Sequence, residues 1–175
     1  MMNLLRERVR KWAEGHTSRH VYSQLIRSAS GTVVILRYNV FDFGPLHIRI
    51  HRLVGSDHDR GLHTHPWYNA TWVLDGEYWE IVPCPHLKTT ISPITGEYTC
   101  RWVKSRFGEA FCSTVLRRCP GDLVLRTPRS AHRITLVRNR PALTLFVHWN
   151  WGRGRRWGFW SEVDGSYSLV EEDRK

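Results

Sequence analysis

A mainly β fold, closed into a barrel or sandwich and preceded by N-terminal helices, is what this sequence predicts, on three observations. From Thr32 onward the apolar and β-branched residues come in short runs rather than at helical spacing. Gly-Pro and Asp-Gly turn signals separate those runs. Helical spacing is confined to the stretch before Ser30.

The first helix is expected over residues 2–14, where Leu5, Val9 and Trp12 share a face and Gly15 follows. A second is expected over Ser18–Ala29, with Val21, Leu25 and Ala29 in line and Ser30-Gly31 ending it. Strands are expected at Thr32–Tyr38, Leu46–Leu53, Thr71–Leu74, Glu77–Val82, Tyr98–Val103, Leu123–Arg126, Arg133–Val137 and Leu143–Trp149. Gly44-Pro45 is a turn. Leu46–Leu53 alternates, with Leu46, Ile48 and Ile50 on one face and His47, Arg49 and His51 on the other. Asp75-Gly76 reads as the turn of a hairpin between its flanking strands. Pro83–Pro93 reads as loop, Trp151–Trp160 is rich in Arg, Gly and Trp, and Ser168–Lys175 is a charged, fraying end. Many short strands with Gly and Pro turns argue for a sandwich or barrel.

The 175 residues suit one domain, and 41% hydrophobic with 12% aromatic content is enough for a core. The expected organisation is a single domain over 1–175, with a helical segment at 1–30, the barrel at 32–160 and a tail at 161–175. No apolar run reaches the length of a membrane span, and the N-terminus lacks a signal-peptide core, so a cytoplasmic protein is expected. Cys84, Cys100, Cys112 and Cys119 form no C-x-x-C pair and are expected as free thiols. The formal charge is +10, carried by 22 arginines and 4 lysines spread along the chain. Scattered arginines suit a small anionic substrate at least as well as a nucleic acid.

The segment with chemistry is His63-Thr64-His65-Pro66-Trp67-Tyr68-Asn69. Residues two apart on a strand point to one face, so His63 and His65 aim two imidazoles into one space. Imidazole is a good ligand for iron, nickel, copper and zinc. A second segment, Pro120-Gly121-Asp122 followed by Pro128 and His132, adds a third histidine just before another strand. Together the two blocks resemble the two motifs of the cupin superfamily. His63 and His65 match the paired histidines, Gly76 matches the closing glycine seven residues after Asn69, and Gly121 precedes His132 by the family's eleven-residue spacing. Asn69 stands where many cupins carry a glutamate ligand. Asp57 replaces the opening glycine, Pro128 is shifted by one residue, the second motif's other glycine is not in place, and Leu136 replaces the closing asparagine. The resemblance spans roughly residues 46–150. The runs Ser56–Trp67, Gly76–Glu80 and Trp157–Trp160 are also similar to small bacterial and phage cupin-like proteins.

The resemblance implies a cupin double-stranded β-helix, a jelly-roll barrel, with one divalent transition metal on His63, His65 and His132. Three neutral imidazoles leave coordination positions open, the arrangement of a catalytic metal. Cysteine dioxygenase and its relatives have a similar three-histidine iron site, so Fe(II) and a dioxygenase-type oxidoreductase are expected, with zinc or nickel as other occupants. A metal-dependent sugar isomerase or epimerase, a lyase, and a non-enzymatic metal- or nucleic-acid-binding module are the alternatives. Cupins often pair, which makes a homodimer the expected assembly if there is one.

His51 and Glu80 are the candidate catalytic residues. His51 is read as a fourth ligand or general base, or else as a surface histidine beside Arg49. Glu80 is read as a replacement carboxylate, an acid/base group or the partner of a ligand, or else as exposed. His148 is a further cavity candidate. Asp57, Asp59 and Arg60 are read as a loop ion pair ordering the approach to His63. The tryptophans, Trp67 and Trp72 among them, are read as packing residues before a stacking wall.

Overall fold

The computed structural model describes residues 2–28, 30–57, 61–83, 100–104, 110–149, 158–160 and 167–169. Helix α1 (Met2–Arg19) precedes β1 (Gln24–Arg27), β2 (Val33–Phe43), β3 (Leu46–Leu53), β4 (Leu62–His63), β5 (Tyr68–Asp75) and β6 (Tyr78–Pro83). Then come β7 (Cys100–Lys104), β8 (Ala110–Arg118), β9 (Leu123–Arg126), β10 (Arg133–Leu136), β11 (Ala142–Trp149), β12 (Gly158–Trp160) and β13 (Tyr167–Leu169). They make a six-stranded sheet in the order β1-β2-β3-β11-β5-β9, a four-stranded sheet β10-β6-β8-β7 and a three-stranded sheet β13-β12-β4. Each of the strand pairs is antiparallel.

The large sheet has two unlike faces because its strands alternate. On the outer face Tyr38, Ile50, Leu74 and Leu143 pack against Ala13 of α1, with Val9 and Trp72 beside them. On the inner face Leu53, Val73 and Ala142 meet Tyr78 of β6 and Leu136 of β10, closing one end of the barrel. Between that apolar floor and the opposite end, the inner face carries His47, Arg49 and His51 on β3 and Thr144, Phe146 and His148 on β11. The β3 alternation is therefore as read from the sequence.

Two expectations are corrected. Gln24–Arg27 is a strand, not part of a second helix. Val21, the proposed head of that helix's apolar face, is 85% exposed, whereas β2 offers an edge that pairs Gln24 with Arg37 and Ile26 with Ile35. Pairing with β2 outweighs a weak local helical pattern. The first helix also runs through Gly15 to Arg19. Second, β5 and β6 do not form a hairpin: β5 pairs with β11 and β9, and β6 with β10 and β8. Asp75-Gly76 instead carries the chain from one sheet to the other.

The strands β8, β12 and β13 were not expected; β8 joins β6 to β7, and β13 pairs with β12 and takes in Ser168 and Leu169 of the expected fraying end, whose residues 170–175 lie outside the described residues. Residues 84–99, including most of the expected Pro83–Pro93 loop, lie outside the described residues. Cys119 is a free thiol. Among the described residues no helix is long and apolar enough to cross a membrane.

Gly76 sits at φ +69°, and a Cβ there would strike the Pro141 carbonyl and lie 2.7 Å from Ala142 Cα. Gly31 has φ +87° but open space around it. In urea denaturation, Gly76→Ala is expected to lose about 2–4 kcal/mol, strain plus clash, and Gly31→Ala only about 1 kcal/mol. Equal losses would show that the close approach of the neighbouring β11 backbone at Gly76 is not what constrains it.

Candidate metal centre

His63 ends β4 and lies opposite His132, which just precedes β10. The two residues exchange both backbone hydrogen bonds, N–H to carbonyl, at 3.0 Å each way. Opposed residues of such a bridge send their side chains to one side. Thr64 turns away and is buried; its N–H donates to the Gly158 carbonyl (3.0 Å), and its Oγ1 accepts from the Gly158 N–H (3.2 Å). His65 thereby returns to the side of His63. The ring centroids stand 5.1 Å apart for His63–His65, 5.1 Å for His63–His132 and 5.2 Å for His65–His132. One ring nitrogen from each lies within 4.8 Å of the others.

The donor chemistry fits one transition-metal ion. Nε2 of His65 and Nε2 of His132 are 3.1 Å apart, the spacing of two bonds of about 2.1 Å that enclose roughly a right angle. His132 Nδ1 donates to Glu80 Oε1 at 3.0 Å. That bond places the proton on Nδ1 and leaves the Nε2 lone pair facing the other imidazoles. His63 Nδ1 lies 3.6 Å from Asp57 Oδ2. Asp57 is itself fixed by an N–H bond to the Ile134 carbonyl. Two of the three imidazoles thus have a carboxylate on the Nδ1 side.

Burial pushes the His65 pKa well down, and the charges of His132 and His63 push it further. Burial and then the Arg126 charge lower His132, against the raising effect of Glu80. All this favours neutral imidazoles, the form that binds metal.

Glu80 is 1% exposed and fully engaged. Its Oε1 accepts from Arg126 Nε at 2.8 Å, from Arg126 Nη2 and from His132; its Oε2 accepts from Arg118 Nε at 2.6 Å. Burial alone would raise its pKa, but the His132 hydrogen bond and the two guanidiniums overcome this and hold it ionised, well below the ordinary carboxylate range. Arg126 also donates to Thr71 Oγ1 (2.9 Å) and reaches Asn69 Oδ1 at 3.4 Å. Asn69, in the slot of the family's glutamate ligand, is thus turned to Arg126.

The imidazoles open into a cavity of about 300 Å³. His51 lines it; its Nε2 accepts from Arg37 Nε at 3.1 Å, and its ring stacks on Phe146 at 4.5 Å. Trp67 stacks on His65 at 5.8 Å and lies 4.7 Å from His148, which stacks on His47. His148 stands at the edge of this aromatic wall with a pKa lowered to about 4, by burial first and then by the His47 and Arg49 charges.

No protein-family model and no curated protein matches the sequence. Solved structures do match the fold. A structure of the DMSP lyases RdDddP and RnDddQII is 14% identical over 80% of this chain and 62% of that one, with a TM-score of 0.50. The fold is a cupin barrel. The DMSP lyase DddQ from Ruegeria pomeroyi is 16% identical over 81% of this chain and 59% of its own, with a TM-score of 0.47. A protein with a double-stranded β-helix domain from Klebsiella pneumoniae is 13% identical over 85% and 92%, with a TM-score of 0.42. The chain spans about three-fifths of the length of the two lyase chains.

Of the residues singled out in the sequence, His63, His65 and His132 come together, Glu80 reaches them through His132, and His51 lies across the cavity. Asp57 faces His63 at ion-pair distance; Asp59 and Arg60 lie outside the described residues. Trp67 is part of the cavity wall, while Trp72 packs in the outer core. Sequence reasoning missed Arg37, Arg118 and Arg126, for which alternation gave no signal.

His51, His65 and His132 all have pKa values lowered from the ordinary 6.5, so near pH 6 the unfolded chain binds more protons than the folded one. Stability of the metal-free protein is therefore complete above about pH 6.5 and falls as the pH drops, by up to about 1.4 kcal/mol per pH unit for each histidine held neutral. Urea unfolding between pH 7.5 and 5.5 measures the slope, and His51→Gln is expected to make it shallower. A slope of the opposite sign would mean that these imidazoles are charged in the fold.

Proposed function

We propose that His63, His65 and His132 hold one divalent metal, Fe(II) before zinc or nickel, and that the protein is a mononuclear non-haem oxidoreductase of the dioxygenase type acting on a small anionic molecule. The observation that carries this reading is the convergence of three imidazoles on one cavity, with the His132 proton drawn to Glu80 and its lone pair turned inward. Iron, when bound, supplies redox chemistry toward dioxygen, which no side chain in the cavity offers.

The chain's own residues hold and orient. Glu80 fixes the tautomer and ring plane of His132, while Asp57 stands at ion-pair distance from His63, outside hydrogen-bond reach. Trp67 stacks on His65 and Phe146 on His51, giving the cavity apolar surface that disfavours bulk water. The guanidiniums of Arg37 and Arg126 line the cavity and favour an anion there.

The isomerase reading needs a group that moves protons. His51 has its Nε2 lone pair committed to Arg37, and Glu80 is held ionised with both oxygens engaged. Both residues fit positioning roles better than general acid/base roles.

Metal analysis is expected to find about one equivalent in the purified protein. His63→Ala and His132→Ala should each abolish it, and Glu80→Gln should weaken affinity about 10- to 100-fold. Full metal content in both alanine variants would overturn the ligand assignment. Oxygen uptake by the iron-loaded protein with a panel of thiols, carboxylic acids and diketones tests the reaction class. Turnover that continues unchanged under anaerobic conditions would favour an isomerase or lyase.

A further inference from the structure

Among the described residues, four arginines project from the inner faces of the strands, and three have a carboxylate. Arg118 and Arg126 share Glu80, and Arg49 pairs with Asp42 at 2.5 Å. Arg37 has none among the described residues. It extends from β2 into the cavity between Gln24 of β1 and His51 of β3. Its Nη1 donates to Gln24 Oε1 at 2.8 Å and its Nε to His51 Nε2 at 3.1 Å. Both partners are neutral acceptors. They fix the plane of the guanidinium without cancelling its charge, and Nη2 has no hydrogen bond to a described residue.

We propose that Arg37, aimed by Gln24 and His51, is the anchor for the carboxylate of a small monoanionic substrate with an apolar body. The inference rests on the metal reading only for the direction in which the substrate's other end points. A guanidinium partly withdrawn from water without a counter-charge is under-compensated, and a carboxylate arriving from solution offsets this through charge-assisted hydrogen bonds. Burial and the neighbouring Arg49 charge both act against the Arg37 cation, in the sense an incoming anion would relieve.

The rest of the cavity sets the body of the ligand. Ile26, Val34, Phe146 and Trp67 give it apolar walls. A volume of about 300 Å³ equals that of roughly ten water molecules. An aromatic or branched aliphatic carboxylate of about ten non-hydrogen atoms matches both limits. A single guanidinium without a described counter-ion suits one negative charge.

The test uses benzoate and phenylacetate as probes, benzamide as the uncharged isostere of benzoate, and isothermal titration calorimetry of the full chain without metal. Benzoate is expected to bind about tenfold or more tightly than benzamide, as loss of a hydrogen bond to a charged group implies. Arg37→Gln should remove that preference while leaving benzamide binding and metal content unchanged. Gln24→Ala, at an exposed position that the fold tolerates, should weaken benzoate severalfold and covers the case in which Arg37→Gln does not fold. Equal binding of benzoate and benzamide, the same benzoate affinity in wild type and both variants, or no benzoate binding at millimolar concentration would each overturn the anchor. One equivalent of metal without benzoate binding sinks the anchor and leaves the metal reading standing. Arg37-dependent benzoate binding in a chain that takes up no metal does the reverse.

Discussion

Glu80 brings a single negative charge into the barrel, and groups from three other segments converge on it. Arg118 comes from β8, Arg126 from β9 and His132 from the approach to β10. Because β9 belongs to the large sheet and β6, β8 and β10 to the four-stranded one, this carboxylate ties the two sheets together across the interior. Removing one partner of such a buried cluster leaves an uncompensated charge, at a cost of about 3–5 kcal/mol. The cluster therefore specifies how the sheets face each other, and the same bonds set the orientation of His132. Stability and site geometry are joined at one residue.

The inner face is graded along the barrel. Leu53, Val73, Leu136 and Ala142 fill one end together with the ring of Tyr78, whose buried hydroxyl is the polar group there. One alternation step further along stand Arg37, His51, Thr144 and Thr71, and beyond them the aromatic wall of Phe146, Trp67 and His148. Strand alternation makes this grading possible, since β3 can present Ile50 to helix α1 and His51 to the cavity from adjacent positions. The helix allows this by covering the outer apolar face, so the inner face need not be wholly apolar.

How much of this was readable in the sequence follows from what each feature depends on. The pairing of His63 with His65 needs only a local rule, two residues along an extended chain, and the β3 alternation needs the same rule over eight residues. His132 joined them through a motif spacing. Glu80's partners depend instead on register between strands distant in sequence: Ile134 opposite Glu80, Leu116 opposite Glu80, and Arg126 opposite Asn69 on the other sheet. No local pattern encodes those. Strand β9 even misleads, because Leu123 and Leu125 are 63% and 70% exposed while Val124 and Arg126 point inward. A reading that places leucines inside puts Arg126 in solvent. The Asp75-Gly76 turn has hairpin chemistry but joins two sheets, since the partner of a strand is chosen by the whole barrel and not by its turn.

The replacement of the family's glutamate ligand by Asn69 acquires a physical meaning in this setting. A carboxylate bound directly to a metal would reduce the charge felt by a substrate. Here the carboxylate is one imidazole removed, and its charge is already offset by Arg118 and Arg126. On the proposed metal reading, the ion keeps its charge, the three imidazoles add none, and Arg37 adds one more positive group without a described counter-ion. Positive charge then predominates over the one carboxylate that lines the cavity, Asp57 beside His63. Such a cavity is electrostatically incomplete until an anion enters it, and low-dielectric walls of Phe146 and Trp67 make that incompleteness count for more than it would in water. Selection for a small anion thus follows from the whole arrangement of charges, with Arg37 setting where the anion sits and the imidazoles setting what it can reach.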